Sequence, residues 1–346
     1  MKKLSSFSFR SREKNIPIIA IGVFIITGAI WGVTQSLEEA KQQQEKAVRA
    51  QEAVKNYQNQ LSTIFLKGDL EKNKNLRRVT TATTLALLRD PNLDGRSKGQ
   101  IITYLSEIKL INVSQPAADI NQIKLRKIPV ILLHGADLRN ADIFKADLRE
   151  ADLGEADLRG ADLRGALLLE ASLYGANLTR ANLTRAELSR AELSRTNLTK
   201  ANLSEANLGR AYIVQANLGG ANLEGAYLDG ANLDGANLFG ANLFGANLHG
   251  VGLFRTNLRV ANLREANLRG ANLSEANLRG ANLEGADLAG AKLFGANLFG
   301  ANLRGADLAG ADLKGADLGV ANLREAKLCR TRLPDGTKSN KNCNKF

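Results

Sequence analysis

The chain is poor in the residues that most often carry chemistry. Among 346 residues it has two cysteines, two histidines, one methionine and one tryptophan. His134 and His249 lie more than 100 residues apart, and neither has a cysteine near it. That excludes the clustered His/Cys ligand sets of zinc sites and leaves no nucleophile–base–acid arrangement. Most of the 32 glycines recur at period five and they do not cluster ahead of a helix, so there is no phosphate loop. No cofactor is implied. A surplus of one charge is also missing where it would matter. The formal charge of +12 and isoelectric point near 9.7 suggest a polyanionic partner. Yet residues 136–335 hold 23 Lys+Arg against 24 Asp+Glu, a net −1. Residues 1–135 hold 21 against 11, a net +10, and the tail 336–346 adds three lysines. No nucleic-acid partner is expected.

What the chain does have is one phrase, A-(N/D)-L-x-x, repeated forty times from Ala136 to Asp335 without insertion or deletion. The central residue is Leu thirty-eight times, with Ile143 and Ile213 as exceptions. The residue two before it is Ala thirty-six times; Thr196, Val251, Thr256 and Thr331 are the exceptions. Period five fits neither a helix nor an alternating strand. It fits short extended pieces joined by turns, in which residues two apart share a face. Ala and Leu then point inward, and the Asn/Asp between them and the two following residues point outward. Gly in the last slot, unbroken from Gly220 to Gly250, suits a corner with unusual backbone angles. Each coil buries its Leu against the next.

These residues resemble the pentapeptide-repeat family over 200 of the 346 residues. The resemblance implies an all-β solenoid, a right-handed quadrilateral β-helix with four repeats per coil. Forty repeats make ten coils, about 48 Å at the usual inter-strand spacing. Residues twenty apart stack on one face.

Ahead of the repeats the expected order is a basic N-terminus (1–15), a transmembrane helix (16–35), a helical juxtamembrane module (36–127), then the β-helix (128–335) and a tail (336–346). Residues 16–33 are uncharged and mostly apolar, and 18 residues at 1.5 Å each span about 27 Å. Lys2, Lys3, Arg10, Arg12 and Lys14 precede them, which places the N-terminus in the cytoplasm and the solenoid on the extracytoplasmic side of a bilayer. A cleaved signal peptide is the rival; no small-x-small site follows the run, which also exceeds the usual apolar core of about 7–15 residues.

Residues 36–66 read as helix, with Ala47, Ala50, Val54, Tyr57, Leu61 and Ile64 at 3–4 spacing. This stripe packs on its own domain or makes a dimer. A second helix is expected from about Leu70 to Arg89, and a third after a turn at Pro91–Gly95, with Ser97 and Gln100 as a capping box. The segment, with Leu-Asp-Gly-Arg-Ser-Lys-Gly at 93–99 and Tyr-Leu-Ser-Glu at 104–107, resembles the helical module of membrane-anchored cyanobacterial pentapeptide-repeat proteins. Residues 128–133 are expected to cover the open edge of the first coil.

Several residues invite a functional reading. Asp90-x-Asn92-x-Asp94-Gly95 copies half a calcium loop, but Lys98 and Ile101 stand where ligands belong, so turn residues are the better reading. Phe239, Phe244, His249 and Phe254 follow Leu in four successive repeats, and Phe294 and Phe299 add two more. They are candidate partner contacts, although four successive repeats lie on four different faces. Arg180, Arg185, Arg190, Arg195 and Lys200 fill the last slot of five repeats with Glu187 and Glu192 among them, and the Asp run 137–162 is opposed by Arg139, Arg149, Arg159 and Arg164. Both read as mixed-sign surface. Asn from 257 to 282 is expected to stack into amide ladders. Cys329 and Cys343, 14 residues apart, are a candidate disulfide if the solenoid lies outside the cytoplasm.

The expected function is a non-enzymatic, membrane-tethered scaffold for an unidentified protein or envelope polymer. One alternative is gyrase inhibition by DNA mimicry, which the resemblance brings because some members do this; it needs an anionic rod. The other is an enzyme seated in 36–127, where no paired carboxylates at helix spacing, no cysteine and no histidine are found.

Overall fold

The structure is a computed structural model that describes the backbone of residues 16–66, 74–108, 110 and 132–343, and the side chains of these from residue 34 except at 65, 66 and 74. The chain divides into two compact units, one ending at Glu52 and one beginning at Ala53. Helix α1 (Ile16–Leu66) runs through both. In the first unit its residues 34–49 are exposed. Among the described residues no helix is long and apolar enough to cross a membrane. The side chains of 16–33, on which the expected span rests, lie outside the described residues.

In the second unit the end of α1 packs with α2 (Lys74–Leu88) and α3 (Gly95–Glu107). Val54, Tyr57 and Leu61 are buried in the same core as Leu88, Ile101, Ile102 and Leu105, with Ile64 packed against it. This part of the 3–4 stripe is therefore used within its own unit. Tyr57 and Thr84 share a buried hydroxyl–hydroxyl hydrogen bond, and burial pushes the Tyr57 phenol up to about 12. The cap of α3 differs from expectation: it is Asp94, whose carboxylate accepts the Ser97 N–H at 2.7 Å. Ser97 thus occupies the third helical position and supplies the donor that an N-cap satisfies. Asp90 accepts the Asn92 N–H at 2.8 Å, a turn role.

The repeats form a four-sided β-helix. Every bridge joins residues twenty apart, from Asp137↔Asp157 to Asp312↔Arg332, all parallel. One repeat accounts for all its backbone donors. Ala141 N–H bonds back to Leu138 (3.1 Å), and Asp157 N–H reaches Ala136 in the preceding coil (2.9 Å). Leu138 and Asn140 donate forward to Asp157 (2.8 Å) and Arg159 (2.9 Å). The fifth donor, Arg139 N–H, goes to the side chain of Asp137 (3.2 Å). The Asn/Asp slot therefore does more than point outward. It is only partly exposed, and it turns back to satisfy the one N–H that the coil stacking leaves over. The amides also form ladders: Asn262 donates to Asn242 and Asn242 to Asn222, both at 2.9 Å.

Inside, the Ala and Leu slots are essentially inaccessible until the last coil, where Leu318, Ala321 and Leu323 become half-buried. The three threonines in the Ala slot are also buried. Their hydroxyls donate to Leu173, Leu233 and Leu308 carbonyls at 3.0, 3.1 and 2.7 Å, so none is left unsatisfied.

Helix α3 covers the first coil. Gly95 C=O accepts the Asp142 N–H at 2.9 Å and Ser106 Oγ donates to the Asp147 carbonyl at 2.7 Å. A Cβ at Gly99 would lie 1.8 Å from the Asp142 carbonyl oxygen, so only glycine allows this approach. Lys98, almost fully buried, reaches Asp137 at 3.0 Å. Of the segment 128–133 expected to cover this edge, 128–131 lie outside the described residues, and the Leu133 N–H bonds to the Asp152 carbonyl in the next coil. At the far end, strands β1 (Leu328–Arg332) and β2 (Lys338–Lys341) form an antiparallel hairpin closed by the Cys329–Cys343 disulfide.

Two outcomes are expected. Asn242→Ala removes the acceptor for Phe244 N–H and two ladder bonds. It should lower stability by about 1–2 kcal/mol in denaturant unfolding, with hydrogen exchange accelerated at Phe244. Asp137→Asn strands the buried Lys98 cation and should cost about 3–5 kcal/mol, read as loss of amide protection across α3. Hydrogen bonds from Arg139 and then Lys98 hold the Asp137 carboxyl well below its ordinary value of 3.8, against the upward push of burial. A depressed carboxylate stabilises the fold above its unfolded value. Protection of α3 should therefore persist at neutral pH and fall as pH drops below about 3.8.

Candidate interaction surface

With the interior filled, only the outward slots remain for function. Residues twenty apart form four columns, here numbered by their first middle-slot residue: face 1 from Asp137, face 2 from Asp142, face 3 from Asp147 and face 4 from Asp152. The near-neutral total is unevenly shared. Face 1 carries six Lys/Arg against three Asp, a net +3. Faces 2 and 3 each carry six against seven, and face 4 five against seven, giving −1, −1 and −2.

The expected Asp/Arg run resolves into pairs within single repeats. Arg139, Arg149, Arg159 and Arg164 each reach the Asp two residues earlier through two guanidinium nitrogens, for instance Arg139 to Asp137 at 2.9 and 2.7 Å. The run of last-slot cations divides. Arg185 pairs with Glu205 (2.8 Å) and Arg190 with Glu170 (3.1 Å), while Arg195 bonds Tyr174 Oη (3.0 Å). Arg180 and Lys200, both on face 1, have no carboxylate partner among the described residues. With Arg139, Arg159, Thr179 and Thr199 they line a shallow groove over the first four coils.

The candidate aromatics do not gather into one patch. Phe239 is exposed beneath Arg259, 5.9 Å from ring to guanidinium, and Phe244 sits beneath Arg264 at 5.8 Å. Phe254 is stacked by Arg255 at 4.8 Å and Phe299 by Arg279 at 4.7 Å. His249 bonds Asp229 at 2.7 Å, and Phe294 is half exposed on face 4. Of these, Phe239 and Phe299 share face 1 and Phe254 and Phe294 share face 4, each pair two or three coils apart. Among the described residues, no group of three or more His, Cys, Asp or Glu converges as a metal site would require. Cys329 and Cys343 are joined in the terminal hairpin.

Sequence reading missed one feature. The last slot of the repeat has positive φ from Asn140 to Arg330, and where it is not glycine it is nearly always an unbranched or amide residue. Val260 (φ 50°) and Val320 (φ 51°) are the two β-branched exceptions. Both lie on face 1 and are exposed, Val320 to 79%. A β-branched side chain in this region costs roughly 1–2 kcal/mol and recovers little from burial at Val320. The signal was available in the sequence: two valines in a slot otherwise held by Gly, Arg, Glu, Lys, Asn, Gln or Asp.

Val320→Gly should accordingly raise stability by about 1 kcal/mol, after allowing for the greater freedom of glycine in the unfolded chain. A lower denaturation midpoint for the variant would contradict this account of the slot.

The profile of the pentapeptide repeats matches in eight copies, over residues 132–168, 146–185, 176–213, 216–253, 261–298 and 296–333. No curated protein matches the chain. Among solved structures it is similar to HetL, a pentapeptide repeat protein involved in heterocyst differentiation regulation from the cyanobacterium Nostoc sp. strain PCC 7120, at 39% identity, covering 58% of this chain and 92% of that one, with a TM-score of 0.43. It is also similar to Rfr23 from the cyanobacterium Cyanothece 51142, at 35% identity, covering 33% and 58% with a TM-score of 0.15. QnrB1, a plasmid-mediated fluoroquinolone resistance protein, is 21% identical over 44% of this chain and 82% of that one, with a TM-score of 0.38. The profile spans more than half of the residues and coincides with the observed coils, so the chain belongs to the pentapeptide-repeat family, whose repeats wind as right-handed quadrilateral β-helices.

Proposed function

We propose that this protein is a non-enzymatic, membrane-tethered scaffold whose rod presents its faces to another protein or an envelope polymer on the extracytoplasmic side. The observation that carries the reading is the use of the repeat's inward residues and of most of its backbone donors in building the coils. Nothing in the rod is left to build a chemical site, and what varies from repeat to repeat is the outward pair. Members of this family are generally structural or interaction proteins.

Three features support the tether and its sidedness. The apolar run 16–33 has the length of a spanning helix, and basic residues precede it. The Cys329–Cys343 disulfide suits an oxidising compartment. DNA mimicry fits less well. A duplex mimic displays negative charge on all sides, whereas this rod has one cationic face and three mildly acidic ones.

A reporter fused after Phe346 tests the topology. Alkaline phosphatase there should be active and a cytoplasm-dependent fluorescent reporter dark; the reverse pattern would place the rod in the cytoplasm. A membrane pull-down should recover a partner that is lost when 136–335 is removed, and recovery of none would count against the scaffold.

A further inference from the structure

Face 1 is ordered along its length. Its first four coils carry Arg139, Arg159, Arg180 and Lys200 around the shallow groove. The fifth carries only Gly219 and Gly220 in its two free outward slots, a bare step. The last five carry Phe239, Val260, Phe299 and Val320, all exposed, interleaved with Arg259 and Arg279. At its far end the Phe299 ring lies over Gly319, where an added Cβ would come within 2.8 Å of it, beside Val320, while Arg259 and Arg279 lie over the Phe239 and Phe299 rings. No other face has this sequence. Face 4 also exposes Tyr174, Tyr212 and Phe294, but it is the most acidic of the four.

Three observations point to an occupant. Arg180, Lys200, Arg259 and Arg279 have no carboxylate partner among the described residues, although mixed-sign pairs are common elsewhere on the rod. The two strained valines of the rod both stand here, exposed, where glycine would relieve the backbone. Strain retained without packing benefit is a mark of function. Finally, faces 2 and 4 flank the strip with net negative charge, which disfavours a broad polyanion such as a nucleic-acid duplex and favours a narrow ligand.

Building on the scaffold reading, we infer that face 1 binds a narrow segment of a partner protein lying along the rod axis. Its acidic residues sit over Arg180 and Lys200, and its apolar residues sit against Phe239, Val260, Phe299 and Val320. From the third coil to the tenth is seven steps, about 34 Å, which an extended segment of about ten residues covers. The cations supply orientation and steering, and the apolar half supplies desolvated contact.

The test uses the full-length chain in detergent and a fluorescein-labelled peptide of about ten residues, acidic at one end and apolar at the other. Its counterpart has Gln and Asn in place of Glu and Asp. Phosphatidylcholine vesicles doped with phosphatidylglycerol and a short DNA duplex serve as competing probes. The acidic peptide should bind, more weakly as salt rises, and the amide counterpart should not. The double variant Arg180→Glu, Lys200→Glu should weaken binding roughly tenfold or more. Val320→Gly should weaken it several-fold while the fold becomes more stable, a pairing that simple unfolding cannot produce. Arg210→Glu, on face 3, should change nothing. Equal binding of both peptides, equal loss with Arg210→Glu, or binding of vesicles or duplex in place of the peptide would overturn the inference. The membrane pull-down separates it from the scaffold reading. A partner recovered equally with the double variant leaves the scaffold and removes this face, whereas no partner with the unaltered chain removes the scaffold itself.

Discussion

The rod depends on one constraint, that every backbone N–H must find an acceptor as the chain winds. Five donors per repeat meet four backbone acceptors, so the fifth must be met by a side chain. The Asn/Asp slot answers that need, and the rest of the motif follows. Ala is small because it faces inward at a corner, Leu fills the space between coils, and the last slot takes positive φ to turn the corner. At Gly252, which has no side chain to serve, Asp234 of the preceding coil accepts the Phe254 N–H at 2.9 Å.

The coils were readable in the sequence because Leu and Ala recur without a break, and a period of five admits few geometries. The ends were harder to read, since they depend on single contacts between distant residues. Nothing local marks Lys98 as buried or Asp137 as its partner, 39 positions away. Likewise Gly95 and Gly99 resemble turn or linker glycines until α3 is seen to lie against the first coil. Ser97 matched a capping box in pattern, but Asp94 precedes it and competes better for the same helix end. The aromatic ring of residues 239–254 drew attention because its members are consecutive in sequence. Consecutive repeats lie on different faces, so proximity in sequence here means separation in space.

Averaging hid the feature of most interest. A net charge of −1 over the rod is the sum of one positive face and three negative ones, and only the twenty-residue stacking period sorts them. The same sorting brings both strained valines into a single column. The helical cap and the disulfide hairpin protect the two ends, which leaves the long sides available.

The unbroken count of forty repeats has a geometric consequence. Inserting one repeat of five residues would leave every coil well packed, because any repeat stacks on any other. It would nonetheless rotate everything beyond it by a quarter turn. The column holding Arg180 and Lys200 would then continue into residues of a different side, and the apolar half of face 1 would point elsewhere. Four repeats together could be gained or lost with only a change in length. Phase, more than packing, is what an insertion would destroy.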